Sequence, residues 1–283
     1  MPIQVERHDS PLGGWTLARW APPPELAALV EGVWCFEGTM TRLRERHFPM
    51  GSVDLVVHLG PVYGHVTGDR VETFPSTCLS GLLLGPDVIE APPGPSAVLG
   101  MRLLPAGAFA LLGRPLHELT GCTVDLEEVM PDAGPRLADR CRAAASAEGR
   151  LRAAVGWLRE HLRPDALDPA VAWAARRIEA RAGAVSIREL VASTGWSRTR
   201  LTTVFREQIG VTPKALARVR RFRRALEMVG RGDRPASRIA LDCGYYDQPH
   251  LIHEFRELSG FTPGRYGELL RFPESVSVAE EGG

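Results

Sequence analysis

Two short stretches hold side chains whose types and spacing suit recognition of a charged polymer. Arg198, Thr199, Arg200, Thr202, Thr203 and Arg206 interleave with Leu201, Val204 and Phe205. Further on, Gln248, His250, His253 and Arg256 interleave with Leu251 and Phe255. On a helix this spacing turns the apolar side chains inward and leaves the polar ones outside. A threonine hydroxyl can donate to or accept from a base edge, its methyl can pack on a thymine methyl, and glutamine can pair with adenine in bidentate fashion. Guanidinium groups neutralise phosphates. Threonines are short, so Arg198 or Arg200 could carry more of the target choice. His250 is open to two readings, a base or phosphate contact or a half-buried packing residue.

The elements that position these residues form an internal repeat. Leu201, Phe205, Arg206, Glu207, Gly210, Thr212 and Pro213 recur 50 residues later as Leu251, Phe255, Arg256, Glu257, Gly260, Thr262 and Pro263. Upstream, Leu190, Val191 and Gly195 match Ile239, Ala240 and Gly244 at an offset of 49. Each copy predicts helix, tight turn, helix, the helix-turn-helix arrangement whose second helix enters a major groove. In the first copy Ser186 and Glu189 have capping-box spacing, Gly195 closes the helix and Ser197 caps the next. In the second, Ser237 and Asp247 are the expected caps and Gly244 the turn. Between the copies Thr212-Pro213 opens a helix that Gly230 and Gly232 end, roughly sixteen residues or about 24 Å. Arg218, Arg220, Arg221, Arg223 and Arg224 crowd it. Arg218, Arg220 and Arg223 could touch DNA or form a solvated face. Arg206 and Arg256 fit either phosphate contacts or ion pairs with Glu207 and Glu257.

Residues 166–273 resemble the AraC/XylS-type DNA-binding domain. The stretch Gly244-Tyr245-Tyr246-Asp247-Gln248-Pro249-His250-Leu251, running on through Phe255-Arg256 to Gly260-Phe261-Thr262-Pro263, is similar to that family's second-unit signature. The resemblance implies seven helices with two helix-turn-helix units, at 186–206 and 237–256. It also implies base reading from Thr199, Thr202 and Thr203. Pro249 stands where many relatives have a polar contact residue. Residues 1–130 resemble an uncharacterised sensor-type domain, through Pro49-Met50-Gly51-Ser52-Val53-Asp54-Leu55, Pro105-Ala106-Gly107-Ala108-Phe109 and Leu112-Gly113.

The net charge of the 283 residues is zero, but it is unevenly placed. Residues 1–165 hold 15 basic and 20 acidic side chains, residues 166–273 hold 19 and 11, and 274–283 add three acids. A basic module facing a polyanion beside an acidic module of other purpose fits this split. The five cysteines are widely spaced and include no C-x-x-C pair, which argues against a disulfide framework or structural zinc. Met1–Ser10 is charged, unlike a signal peptide, and no apolar run reaches the roughly 18 residues of a membrane span. A reducing cytoplasm is the expected location. There is no G-x-S-x-G, P-loop or strand-preceded G-x-G-x-x-G, so an enzyme is not expected, and neither is a cofactor.

The first hundred residues read as short strands broken by glycine and proline: Trp15–Trp20, Val33–Phe36, Val53–Leu59, Cys78–Leu84 and Val98–Leu104. Val53, Leu55, Val57 and Leu59 alternate with Asp54, Val56 and His58. The expected fold is α+β: a β-rich barrel or sandwich (cupin-like) over 1–130, a helical connector over 131–165 with helices at 135–147 and 150–162, the all-α module over 166–273, and a flexible tail at 274–283. Trp34, Phe36, His47, Tyr63 and Arg102 are candidates for an effector pocket, with ordinary core packing the competing reading for the aromatics. His47, Asp54, His58 and His65 could instead serve a metal-dependent sensor, although their spacing matches no tight signature. The expectation is a transcription regulator with duplex DNA, a small-molecule effector, RNA polymerase and a second copy as partners, and no membrane. An architectural DNA binder without effector is the alternative.

Overall fold

The structure, a computed structural model, describes residues 2–10, 13–40, 44–232, 234–269 and 278–279. Apart from Val278–Ala279, the tail expected at 274–283 lies outside these residues.

The N-terminal part contains β1 (Gln4–Ser10), β2 (Gly13–Trp20), β3 (Val30–Met40), β4 (Arg44–His47), β5 (Val53–His58), β6 (Gly64–Thr67), β7 (Arg70–Thr73), β8 (Thr77–Ser80), β9 (Asp87–Glu90), β10 (Ser96–Leu103) and β11 (Thr123–Asp125). One antiparallel sheet has the order β1-β2-β3-β10-β5-β8-β11. A second pairs β4, β9, β6 and β7, with β12 (Val278–Ala279) beside β4. Both sheets end in edge strands among the described residues, so the architecture is two open sheets, not a closed barrel. The alternation read in β5 holds: Val53, Leu55 and Val57 are buried while Asp54 and Val56 are half-buried. His58, expected to point outward, is also buried.

Helices cover one face of the larger sheet: α1 (Pro105–Leu112), the short α2 (Leu126–Val129), α3 (Gly134–Ala143) and α4 (Ala147–His161). Cys35, Leu55, Leu99 and Met101 from the strands join Leu137, Cys141, Leu151 and Trp157 from the helices in one core. The Ser146 hydroxyl accepts the Gly149 N–H at 3.1 Å, and this cap separates α3 from α4 earlier than expected. All five cysteines are free thiols, with Cys122 alone exposed, and burial pushes Cys78 and Cys141 up to about 12.

The remaining helices are α5 (Pro169–Ala180), α6 (Ile187–Thr194), α7 (Arg198–Ile209), α8 (Pro213–Arg231), α9 (Ala236–Cys243), α10 (Gln248–Ser259) and α11 (Pro263–Leu269). The repeat is exact in its boundaries: α7 and α10 are offset by 50, α6 and α9 by 49. The connecting α8 runs 19 residues, about 28 Å, because Gly230 stays helical and only Gly232 turns left-handed.

The sheet-bearing and helical parts share their cores. Val171, Leu190, Leu201, Phe205 and Ile209 continue the core beneath the sheet. Phe48, from the segment between β4 and β5, sits among Phe222, Phe255 and Tyr266, with its ring 5.7 Å from Tyr266 and 6.4 Å from Phe222.

Candidate nucleic-acid interface

In the first unit the Ser186 hydroxyl accepts the Glu189 N–H at 3.1 Å. Glu189 does not complete the box. Its carboxylate takes the Arg177 guanidinium at 2.7 and 2.9 Å, joining α6 to α5. The turn needs a left-handed residue, and Gly195 supplies it at φ 67°. The Ser197 hydroxyl then caps α7 by accepting the Arg200 N–H at 3.2 Å. Leu201, Phe205 and Ile209 are buried, which turns Arg198, Thr199, Arg200, Thr203 and Arg206 out to solvent and leaves Thr202 half-buried. The Arg200 guanidinium lies 4.3 Å over the Trp196 ring. Among the described residues Arg206 has no ion-pair partner.

The second unit repeats the geometry with different caps. Helix α9 starts at Ala236 behind Pro235, so Ser237 lies inside the helix and is not its cap. Proline at that point presets the extended entry, so the helix begins before Ser237 and has no side-chain cap. Gly244 turns at φ 78°, and Asp247 accepts the His250 N–H at 2.8 Å. Gln248, Pro249, His253 and Arg256 are exposed, whereas His250 is half-buried against the Tyr245 ring at 5.3 Å. Glu257 pairs with Arg218 and approaches His253 at 3.7 Å, which leaves Arg256 without an ion-pair partner among the described residues. Tyr246, in the turn, is 88% exposed. The sequence pattern passed over it, because an aromatic beside the buried Tyr245 reads as core.

Most of the arginines on α8 hold the molecule together. Arg218 and Arg221 both reach the buried Glu254, at 3.2 and 3.3 Å. Arg220, only 2% exposed, donates to the Met50 and Gly51 carbonyls at 2.8 and 3.0 Å. Its Nε lies 2.6 Å from Glu179 Oε2, a charge contact without hydrogen-bond alignment. Gly51 stands at φ 72°, and a Cβ there would come within 2.9 Å of this guanidinium. Arg223 pairs with Glu31 of β3, whose second oxygen is buried and unpartnered. Burial opposes both members of the Arg220–Glu179 pair, pushing the arginine down and the carboxyl up.

The residues considered for an effector lie mostly along one sheet face. Register places Ser96, Val98, Gly100 and Arg102 on the same side of β10, opposite the helices. Trp34 pairs with Gly100 and Phe36 with Val98, so both share that side. At one end Arg102 makes a two-pronged bond to Asp54 at 2.9 and 3.0 Å. At the other the Tyr63 hydroxyl lies 3.2 Å from Ser96 Oγ, and burial pushes its phenol up. The row spans about 20 Å. His47 belongs to the other sheet, 3.5 Å from Glu45. The residues weighed for metal are dispersed. Asp54 serves Arg102, His65 lies 2.7 Å from Asp87, and His58 stacks near Phe74 with its pKa lowered by burial. No three His, Cys, Asp or Glu side chains converge among the described residues.

Residues 190–268 match a helix-turn-helix domain family. They form an AraC-type helix-turn-helix domain. Ahead of the AraC-type domain, residues 18–125 match a domain of unknown function, DUF6597. A curated relative, the probable transcriptional regulator LumQ of Photobacterium leiognathi, is 28% identical over 87 residues, 31% of this chain. The match spans 35% of that relative's length. Among solved structures, the C-terminal domain of AraT, a response regulator from Geobacillus stearothermophilus, is 21% identical with a TM-score of 0.36, covering 38% of this chain and 91% of its own. ToxT from Vibrio cholerae is 10% identical with a TM-score of 0.47, covering 85% of this chain and 98% of its own. No helix among the described residues is long and apolar enough to cross a membrane.

Proposed function

We propose that this chain is a sequence-specific DNA-binding transcription regulator acting in the cytoplasm. The observation that carries the proposal is the duplicated unit. Two capped helix-turn-helix elements are joined by one rigid helix, and each presents an outward set of hydrogen-bonding and cationic side chains. In the first unit these are Arg198, Thr199, Arg200, Thr202, Thr203 and Arg206. In the second, Gln248, His253 and Arg256 face outward, with His250 behind them. Arg206 and Arg256, without ion-pair partners among the described residues, suit phosphates. The threonines and Gln248 suit base edges.

The sheet-rich region receives a small effector in this reading. Its support is the face carrying Trp34, Phe36, Tyr63 and Arg102, and the two ties from that region to α8, the Glu31–Arg223 ion pair and the hydrogen bonds of Arg220 to the Met50 and Gly51 carbonyls. A ligand that favours one setting of this junction would change how the two units meet DNA, because both hang on α8.

Selection of duplexes from a random pool by the whole chain, followed by binding across salt concentrations, tests the reading. A preferred sequence bound with affinity that falls steeply with salt is expected. Salt-independent binding, or no sequence preference, overturns it. Thermal shift against a metabolite panel separates an effector-responsive regulator from an architectural binder. Sizing with and without the selected duplex tests whether a second copy joins, and pull-down with RNA polymerase tests that partner.

A further inference from the structure

Two adjacent tyrosines in the turn of the second unit have opposite fates. Tyr245 is buried at 4% exposure, its ring edge-on to His250 and 5.4 Å beneath the Arg221 guanidinium. Tyr246 is 88% exposed, and its side chain has no hydrogen-bond or ring partner among the described residues. The fold therefore draws no stability from the Tyr246 ring. It does fix the backbone that carries the ring. The Tyr246 N–H donates to His250 Nδ1 at 3.3 Å, while Asp247 accepts the His250 N–H at 2.8 Å. Residues 246 and 247 are thus fastened twice to the first turn of α10.

The bond to Nδ1 sets the tautomer of the neutral imidazole. A ring nitrogen that accepts a hydrogen bond carries no proton, so in the neutral ring the proton sits on Nε2. Nε2 faces Glu254 Oε1 at 3.5 Å, and Glu254 is itself buried and held by Arg218 and Arg221. Nδ1 of His250 is thus engaged inside the protein, and Nε2 sits beside Glu254 rather than out with the exposed Gln248 and Pro249.

We infer that Tyr246 is a phosphate-contacting residue of the second unit and that His250 is its positioning residue. The inference rests on the DNA-binding reading above. The occupant is the duplex backbone, because Tyr246 is continuous with the exposed Gln248 and Pro249 at the start of α10, in a region with 19 basic against 11 acidic side chains. A phenol hydroxyl donates to a phosphate oxygen, and such contacts set register without carrying sequence information.

The test is binding of the full-length chain to its selected duplex. Tyr246→Phe should weaken binding about fivefold and Tyr246→Ala about tenfold or more, with base preference and salt slope unchanged, since a neutral donor releases no counterion. His250→Leu, lacking the acceptor, should match Tyr246→Ala. His250→Asn places an amide oxygen near the Nδ1 position and should restore binding to within about twofold of wild type. The double variant Tyr246→Ala/His250→Leu should be no weaker than Tyr246→Ala alone. A single methylphosphonate at the contacted phosphate should abolish the difference between wild type and Tyr246→Phe. Tyr246→Ala within twofold of wild type, or His250→Asn as weak as His250→Leu, overturns this inference while Arg206→Ala still weakens binding. A wild-type chain that binds no duplex overturns the DNA-binding reading together with it.

Discussion

The Arg220 guanidinium donates to the main-chain carbonyl of Gly51 at 3.0 Å across 169 residues of sequence. It brings a loop of the sheet-bearing part onto the helix that joins both helix-turn-helix units. The two accepting carbonyls and Glu179 meet one side chain that solvent scarcely reaches. The junction is therefore specific in geometry as well as in charge.

Arg220→Ala is expected to destabilise the protein by about 2–4 kcal/mol, chiefly through the buried Gly51 carbonyl and the part-buried Met50 carbonyl losing their donor. Urea unfolding followed by circular dichroism measures it. Arg220→Lys should recover only part of the loss, because an ammonium is a poor substitute for the planar fork. Full recovery with lysine would show that charge alone holds the junction.

Gly51→Ala should be destabilising by about 1–3 kcal/mol from its left-handed backbone, with added strain from the guanidinium pressed against the new methyl. The same measurement reads it. Gly51→Ala combined with Arg220→Ala should cost less than the sum of the two.

Phe48→Ala removes a ring from the core of the second unit and should cost about 3–5 kcal/mol. Hydrogen exchange should show the loss in α9 and α10 before α6 and α7, although Phe48 belongs to neither unit in sequence. Equal loss across both units would mean that the two cores unfold together.

His58 gives a pH dependence with a definite sign. Burial holds its pKa below the ordinary histidine value of 6.5, so the unfolded chain binds the proton more readily than the folded one. Its stabilising effect is complete above about pH 6.5 and is lost as pH falls toward the depressed folded value. Against wild type, His58→Gln should flatten the stability profile in that window. An unchanged slope would remove His58 as its source.

Arg206→Ala and Arg256→Ala should each weaken binding on all duplexes and lower the salt slope by about one. Thr202→Ala should instead change preference at one base position. Selection repeated with each variant separates the outcomes.

Much of the helical architecture was legible because repetition is a local signal. The offset of 50 residues marked α7 and α10 as copies, Ser197 and Asp247 placed their starts, and the glycines at 195 and 244 marked turns that a side chain would strain, whereas both helices run three residues past the expected ends at 206 and 256. The alternation in β5 exposed a sheet with one buried face. The short strands β4, β6, β7 and β9 were not legible, since their mixed polar sequences carry no periodic apolar signal. Ser237 looked like a cap because hydroxyl residues are good caps, yet Pro235 starts the helix earlier. The arginines of α8 were ambiguous for a deeper reason. A charge pattern shows how many cations a helix bears, not what they meet, and the Met50 carbonyl that Arg220 holds and the Glu31 that Arg223 holds lie more than 160 residues away. The same limit hid Tyr246, whose backbone is held by a histidine bond that no periodicity encodes.

Phe48 finally bears on how the two parts could be exchanged. A recombination that joined this helix-turn-helix segment to a different N-terminal domain would leave a phenyl-sized void between Phe222 and Tyr266, while a foreign loop of the wrong shape would overfill it. A workable chimaera has to carry the loop with it, including the glycine that admits Arg220. The helical part is complete only with an aromatic plug supplied by the other part of the chain.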